Sequence, residues 1–108
     1  MSTHLHLIVD GETLPTPALS MADGAARSLS ATIRALGAEL PTDAPPRRID
    51  SDACADILRT VHRASFAEVE AAIADAFPEL QAGAVGDFFD DVLRVVAAAR
   101  SADGMEVR

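Results

Sequence analysis

The chain opens with alternating apolar and polar residues, which is the two-residue period of a β-strand. Leu5 and Leu7 fall on one predicted face, and His4 and His6 fall on the other. An Asp-Gly dipeptide follows, and it favours the two positive-φ positions of a tight hairpin turn. The pattern therefore predicts a β-hairpin, and Pro15 predicts that its return strand is short or lies at a sheet edge.

The next apolar positions recur at the 3.6-residue spacing of an amphipathic helix. This helix is predicted within residues 17–40, with Ser20 as its N-cap and Gly37 as the residue that ends it. Residues 41–50 contain three prolines, which prevent a helix there. We predict that this segment is a linker.

Residues 51–101 predict three further helices, because three apolar stripes of helical spacing follow one another. Ser65 and Glu68 are spaced as a capping box at the start of the second helix, and Phe66 is predicted to lie on its buried face. The third helix contains Phe88 and Phe89. Adjacent residues lie about 100° apart on a helix, so both are buried only if the apolar stripe is wide.

At 108 residues the chain has the length of one domain. Its predicted parts are a hairpin with a helix over 1–40, a proline-rich linker over 41–50 and a three-helix segment over 51–101. The last four residues, MEVR, are predicted to form a short edge strand or a frayed tail. The predicted fold class is α+β, with a short N-terminal hairpin or small sheet packed with about four helices.

The charge balance excludes several classes of function. The chain has 17 acidic and nine basic residues, a formal net charge of −8, and no lysine. A nucleic-acid partner is not expected, because phosphate binding needs a basic surface. Schiff-base chemistry and a phosphate-loop site both need a lysine. The sequence also shows no catalytic motif, so we predict that the protein is not an enzyme.

The sequence also gives expectations about location. A single cysteine allows no internal disulfide, which fits a reducing compartment. No apolar run approaches the roughly 20 residues that span a bilayer, and the N-terminus lacks the pattern of a signal peptide. We expect a cytoplasmic protein without a membrane partner.

The histidines are candidate metal ligands. His4 and His6 share a strand face, so both could reach one ion, with His62 as a third imidazole. Asp10 and Cys54 are further candidates to complete the set. The alternative is two partly exposed histidines on the wet face of a hairpin, because H-x-H alone is an unspecific pattern. We predict no cofactor, with a transition metal such as zinc as the alternative.

The segment 49–104 has a helical rhythm with a parallel in a known family. It reads IDSDACADILRTVHRASFAEVEAAIADAFPELQAGAVGDFFDDVLRVVAAARSADG. This resembles the helical half of the small peptide chaperone of pyrroloquinoline quinone biosynthesis and of related leader-peptide-recognition domains. The resemblance implies a non-catalytic winged-helix domain that binds a peptide by strand addition. Those domains place three strands directly before the helices, whereas here residues 17–40 predict a helix.

The function predicted from these observations is non-catalytic protein binding, as an adaptor, inhibitor or other regulator. The partner is another protein or peptide, or a second copy in a homodimer. Leu5 and Leu7 are candidate contacts if their strand leaves an edge open. Phe88 or Phe89 is a candidate anchor if one of them is exposed. The alternatives are a chaperone-like domain that recognises a leader peptide and a metal-binding protein.

Overall fold

The computed structural model describes residues 1–79 and 82–108 and has the predicted α+β architecture. Four helices pack against a five-stranded antiparallel sheet. In chain order the elements are β1 (Ser2–Val9), β2 (Glu12–Thr13), β3 (Leu19–Ala22), α1 (Asp23–Leu36), β4 (Arg47–Ile49), α2 (Ser51–Arg63), α3 (Phe66–Ala76), α4 (Ala82–Ser101) and β5 (Met105–Val107).

The N-terminal hairpin forms as the sequence predicts. Val9 pairs with Glu12 across the turn between β1 and β2. Asp10 has φ 55° and Gly11 has φ 78°, so both central positions of the turn have positive φ. The return strand β2 is only two residues long.

The strand β1 lies in the interior of the sheet. β2 and β3 pair along one of its edges, β5 pairs along the other, and β4 lies outside β5. Leu5 and Leu7 are candidate partner contacts only if β1 leaves an edge open, and this condition is not met, because both edges of β1 are hydrogen-bonded within the chain. The prediction of an edge strand or a frayed tail at the C-terminus is also wrong. β5 lies between two strands, and its Met105 and Val107 are fully buried.

The predicted first helix is shorter than expected. Leu19–Ala22 forms β3, and α1 begins at Asp23 without a side-chain cap. Ser20 is not an N-cap, because it lies on β3 opposite His4. The end of the helix is as predicted, since Gly37 has φ 105° and closes it in the left-handed conformation.

Residues 41–50 are part of the domain and not a linker. Thr42 is buried, and its hydroxyl donates to the carbonyl oxygen of Ala26 at 2.7 Å. Arg47–Ile49 forms the outer strand β4. The prolines prevent a helix, but they do not prevent a strand at the edge of a sheet.

The sequence offers Ser51 or Asp50 as the cap of α2 and Ser65 as the cap of α3, and both helices begin there. The Asp50 side chain accepts from the amide of Ala53 at 2.8 Å, and the Ser65 hydroxyl accepts from the amide of Glu68 at 3.1 Å. The core lies between the helices and the inner sheet face. Its fully buried members include Leu5, Leu29, Ile33, Ile57, Val92, Val96, Met105 and Val107. Along the described stretches of chain, no helix combines the length and apolar character needed to cross a membrane.

Candidate functional site

The side chains predicted to contact a partner are covered by the fold. Leu5 is fully buried and Phe89 is 4% exposed. Leu7 is half-buried against the core, and Phe88 is half-buried with its ring edge-on to that of Phe77, with centroids 6.1 Å apart. The prediction that Leu5 or Phe89 contacts a partner is wrong, because neither side chain reaches the surface.

The exposed aromatic side chain is Phe66, which is 82% exposed. It was predicted to lie on the buried face of α3, and the structure corrects this. α3 contains no buried residue, although Val69 and Ile73 pack partly against the core. Phe66 is the first residue of the helix and does not pack against the core, whereas Val69, three residues later, does. The apolar stripe of α3 is thus covered only in part.

A groove of about 270 Å³ opens between α3 and the beginning of α4. α3 packs mainly along α1, and its backbone makes few close approaches to α4 in the described residues. The lining is apolar except for Glu70. It comprises Phe66, Val69, Glu70, Ile73, Ala74, Phe77, Pro78, Val85 and Gly86. We call this feature the α3–α4 groove.

The segment that contributes both walls of the α3–α4 groove is strongly acidic. Residues 64–93 include seven of the 17 acidic residues and none of the nine arginines. Nearly all of the net charge of −8 thus comes from this segment, and the rest of the chain is close to neutral. Opposite charges in a partner would be drawn to this region. The asymmetry is visible in the sequence, although the total charge alone does not reveal it.

A larger depression of about 550 Å³ lies between the end of α1 and α2. Arginines line it, but two of them are paired with carboxylates. Nε of Arg34 lies 3.5 Å from Oε1 of Glu39, and Nη1 of Arg59 lies 2.7 Å from Oδ1 of Asp56. Exposed ion pairs of this kind contribute little energy. The lining of this depression also offers less apolar surface than the lining of the α3–α4 groove. The α3–α4 groove is the better candidate for a docking site.

The two histidines of β1 share the outer face of the sheet, as predicted. His4 is half-buried, and its Nδ1 lies 2.7 Å from the Ser20 hydroxyl. His6 is buried, contrary to the prediction of partial exposure, and its Nδ1 lies 2.8 Å from the carbonyl oxygen of Leu14. A carbonyl oxygen only accepts, so Nδ1 of His6 carries the hydrogen and Nε2 keeps its lone pair in the neutral ring.

The other predicted metal ligands do not join this pair. His62 is exposed in the last turn of α2, and no three His, Cys, Asp or Glu side chains in residues 1–79 and 82–108 are grouped to hold an ion. Burial, and then the charge of Asp50, raise the pKa of the Cys54 thiol to about 11, so it remains protonated at neutral pH. Metal binding by the His4 and His6 imidazoles alone stays a prediction.

Beside the histidines, Glu106 joins three strands. Its carboxylate accepts from Arg108, from Nε of Arg48 at 3.2 Å and from the Thr13 hydroxyl at 3.1 Å. The hydrogen bond from Arg108 is the main cause that lowers the pKa of Glu106 below its ordinary value of 4.5. Desolvation is the second-largest effect and raises the pKa, whereas the hydrogen bonds from Arg48 and Thr13 and the charge of Arg108 lower it further. This cluster links β2, β5 and β4 on the outer face.

Glu106 gives the fold a predicted sensitivity to acid. Because its folded-state pKa is lowered, its stabilising effect is fully present above pH 4.5 and is lost as the pH falls through the lower folded value. We expect the free energy of unfolding to fall less steeply below pH 4.5 in Glu106→Gln than in the unchanged protein. Urea titrations at several pH values measure the two slopes, and equal slopes would contradict the assignment.

The α3–α4 groove has the chemistry of a binding surface. Its walls are apolar side chains, and its single lining charge, Glu70, stands without a nucleophile or a second titratable group in the lining. The groove therefore offers apolar surface that a ligand can cover, and it offers few groups for acid–base chemistry. Comparison with protein-family models, with curated proteins and with solved structures finds no match.

Proposed function

We propose that this protein is a small non-catalytic binding protein that docks another protein in the α3–α4 groove. The observation that supports this most directly is Phe66, an 82%-exposed phenylalanine at the rim of an apolar groove. Through this contact the protein would act on its partner as an adaptor, an inhibitor or another kind of regulator.

The exposed ring of Phe66 is unfavourable in the free protein. Burying a phenylalanine side chain contributes about 2 kcal/mol, which this fold does not obtain from Phe66. The ring is also continuous with other apolar surface, because Val69 and Ile73 are only half-buried beside it. Contiguous exposed apolar surface on a small domain typically marks an interaction site.

The rim of the α3–α4 groove is held in place at both ends of α3. At the start, the Ser65 hydroxyl accepts the amide of Glu68 and fixes the first turn, which contains Phe66. At the end, Phe77 is buried and contacts Phe88 of α4 edge-on. Phe66 is thus presented from a fixed helix, which lowers the entropy lost on binding.

The test compares Phe66→Ser with Leu14→Ser, a matched change at a 38%-exposed leucine outside the groove. Peptides are first selected from a random-sequence library on the unchanged protein. We expect Phe66→Ser to weaken their binding at least tenfold, about 1.4 kcal/mol, because it removes the most exposed large apolar side chain of the groove. Isothermal titration calorimetry measures the affinities.

The control outcomes separate binding from folding. Leu14→Ser is expected to bind as the unchanged protein does. Phe66→Ser is expected to change the free energy of unfolding by no more than about 0.5 kcal/mol, because Phe66 makes few core contacts. Selected peptides that bind Phe66→Ser with full affinity would place the binding surface elsewhere and contradict the proposal.

A further inference from the structure

We infer that the occupant of the α3–α4 groove is an amphipathic α-helix of a partner protein, with a basic polar face. This inference rests on the proposed function of the groove and names the class of partner. Two independent features of the groove support it: the secondary structure of its walls and the sign of the surrounding charge.

The walls of the groove favour a helix over an extended segment. Most of the lining lies on α3, and the backbone N–H and C=O groups in the middle of that helix are bonded within it and are not free to pair with a strand. The chain also has no Trp or Tyr, the side chains that donate to the carbonyls of a polyproline segment in aromatic-lined grooves. A helical ligand satisfies its own backbone and needs only an apolar face.

The length of the groove fits a short helix. Phe66, Val69 and Ile73 recur along α3 at the spacing of one helix face, and Phe77 follows directly after the helix. The eleven-residue separation of Phe66 and Phe77 is about 16 Å along the axis, or roughly three turns. A partner helix of that length presents three apolar side chains at i, i+3 or i+4, and i+7.

The surrounding charge favours a basic partner. Residues 64–93 carry seven acidic residues and no arginine, and Glu70 is in the lining itself. An anionic lipid surface and an acidic peptide would meet this charge with repulsion. A second copy of this chain docked through the same groove would bring two such segments together, so a symmetric homodimer here is disfavoured. Lysine or arginine on the flank of a bound helix would pair with Glu70, the charged residue of the lining.

Three synthetic 16-residue peptides test the inference. The first has leucines at helical spacing with lysines on the other face. The second is the same peptide with glutamate in place of lysine, and the third has the composition of the first in an order that destroys the apolar stripe. Fluorescence anisotropy at low and at physiological salt measures binding to the unchanged protein, to Phe66→Ser and to Glu70→Arg. Glu12→Arg, on the short strand β2, is the matched charge-reversal control.

We expect the first peptide to bind at least tenfold more tightly than either of the others, and to weaken as the salt concentration rises. Phe66→Ser is expected to weaken the binding of the first peptide at least tenfold, and Glu70→Arg is expected to weaken it about threefold. Glu12→Arg is expected to leave its affinity unchanged. If the scrambled peptide binds as tightly as the first, the inference of a helical partner is contradicted. If the glutamate peptide binds as tightly as the first, the inference of a basic polar face is contradicted. In either case, library-selected peptides that still require Phe66 keep the groove as the binding site. If no peptide of either kind requires Phe66, the proposed function fails as well.

Discussion

Replacing Gly104 by alanine is expected to destabilise the protein by about 3 kcal/mol or more. Gly104 has φ 97°, a backbone conformation that residues other than glycine rarely adopt. A Cβ built there lies 2.1 Å from the carbonyl oxygen of Ile49 and 2.9 Å from Cα of Asp50. Both are backbone atoms, so no side-chain rotation relieves the clash.

The backbone around Gly104 also has little room to shift. Its carbonyl accepts the amide of Ile8 at 3.0 Å, and its own amide donates to the carbonyl of Ala99 at 3.0 Å. Moving Gly104 away from Ile49 would break these bonds and displace β5 from the middle of the sheet. The substitution therefore strains either the turn or the sheet.

Urea unfolding followed by circular dichroism measures the effect on Gly104→Ala, with Gly83→Ala as the matched control. A Cβ at Gly83, in the first turn of α4, meets no atom within 4 Å. This control is expected to be neutral or to stabilise by about 0.5–1 kcal/mol, because alanine is the better helix former. A loss of less than about 1 kcal/mol in Gly104→Ala would contradict the close approach to Ile49.

Leu5→Ala is expected to destabilise the protein by about 3 kcal/mol, within the usual 2–5 kcal/mol for a buried leucine. Leu5 has no exposed surface and pairs with Val107 of β5 and Leu19 of β3 in the sheet interior. The truncation leaves a cavity between the sheet and the helices, and neighbouring strands on both sides limit how far the site can collapse.

Leu14→Ala is the control for this prediction. Leu14 is 38% exposed, so its truncation is expected to cost less than about 1 kcal/mol. Thermal and urea unfolding compare the two variants. If Leu5→Ala kept its full stability but lost binding of a library-selected peptide, Leu5 would be a partner contact, and the burial described above would be contradicted.

The elements that the sequence predicts well are those whose signals are local. The Asp-Gly turn, the caps at Asp50 and Ser65 and the end of α1 at Gly37 each depend on neighbours a few residues away. The α+β class follows from these signals together. The sequence therefore predicts the identity of most elements and the starts of α2 and α3.

The errors concern strands that depend on distant partners. Leu19–Ala22 carries a plausible cap and an apolar residue at helical spacing, yet it forms a strand, because its backbone pairs with β1. The three-residue strands β4 and β5 are too short to show an alternating pattern. Their pairing joins positions almost 60 residues apart and is invisible to any local window.

The candidate site was missed for a similar reason. Sequence spacing places Phe66, Phe88 and Phe89 on apolar stripes, but it does not say how much of each stripe the neighbouring elements cover. α4 packs along α2 and against β1, which buries Phe89, whereas α3 leaves Phe66 in solvent. The one-sided charge of residues 64–93 is the available signal, and it marks the segment that contributes both walls of the groove.

The central claim is that partners dock between α3 and α4, and backbone amide NMR tests it most directly. A library-selected peptide is titrated into the isotope-labelled protein, and the shift of every amide is followed. We predict that the largest shifts fall on Phe66, Val69, Ile73 and Val85, with little change around His4 and His6. Shifts concentrated on the outer face of the sheet, with the groove amides unmoved, would contradict the claim and transfer the site to the histidine face.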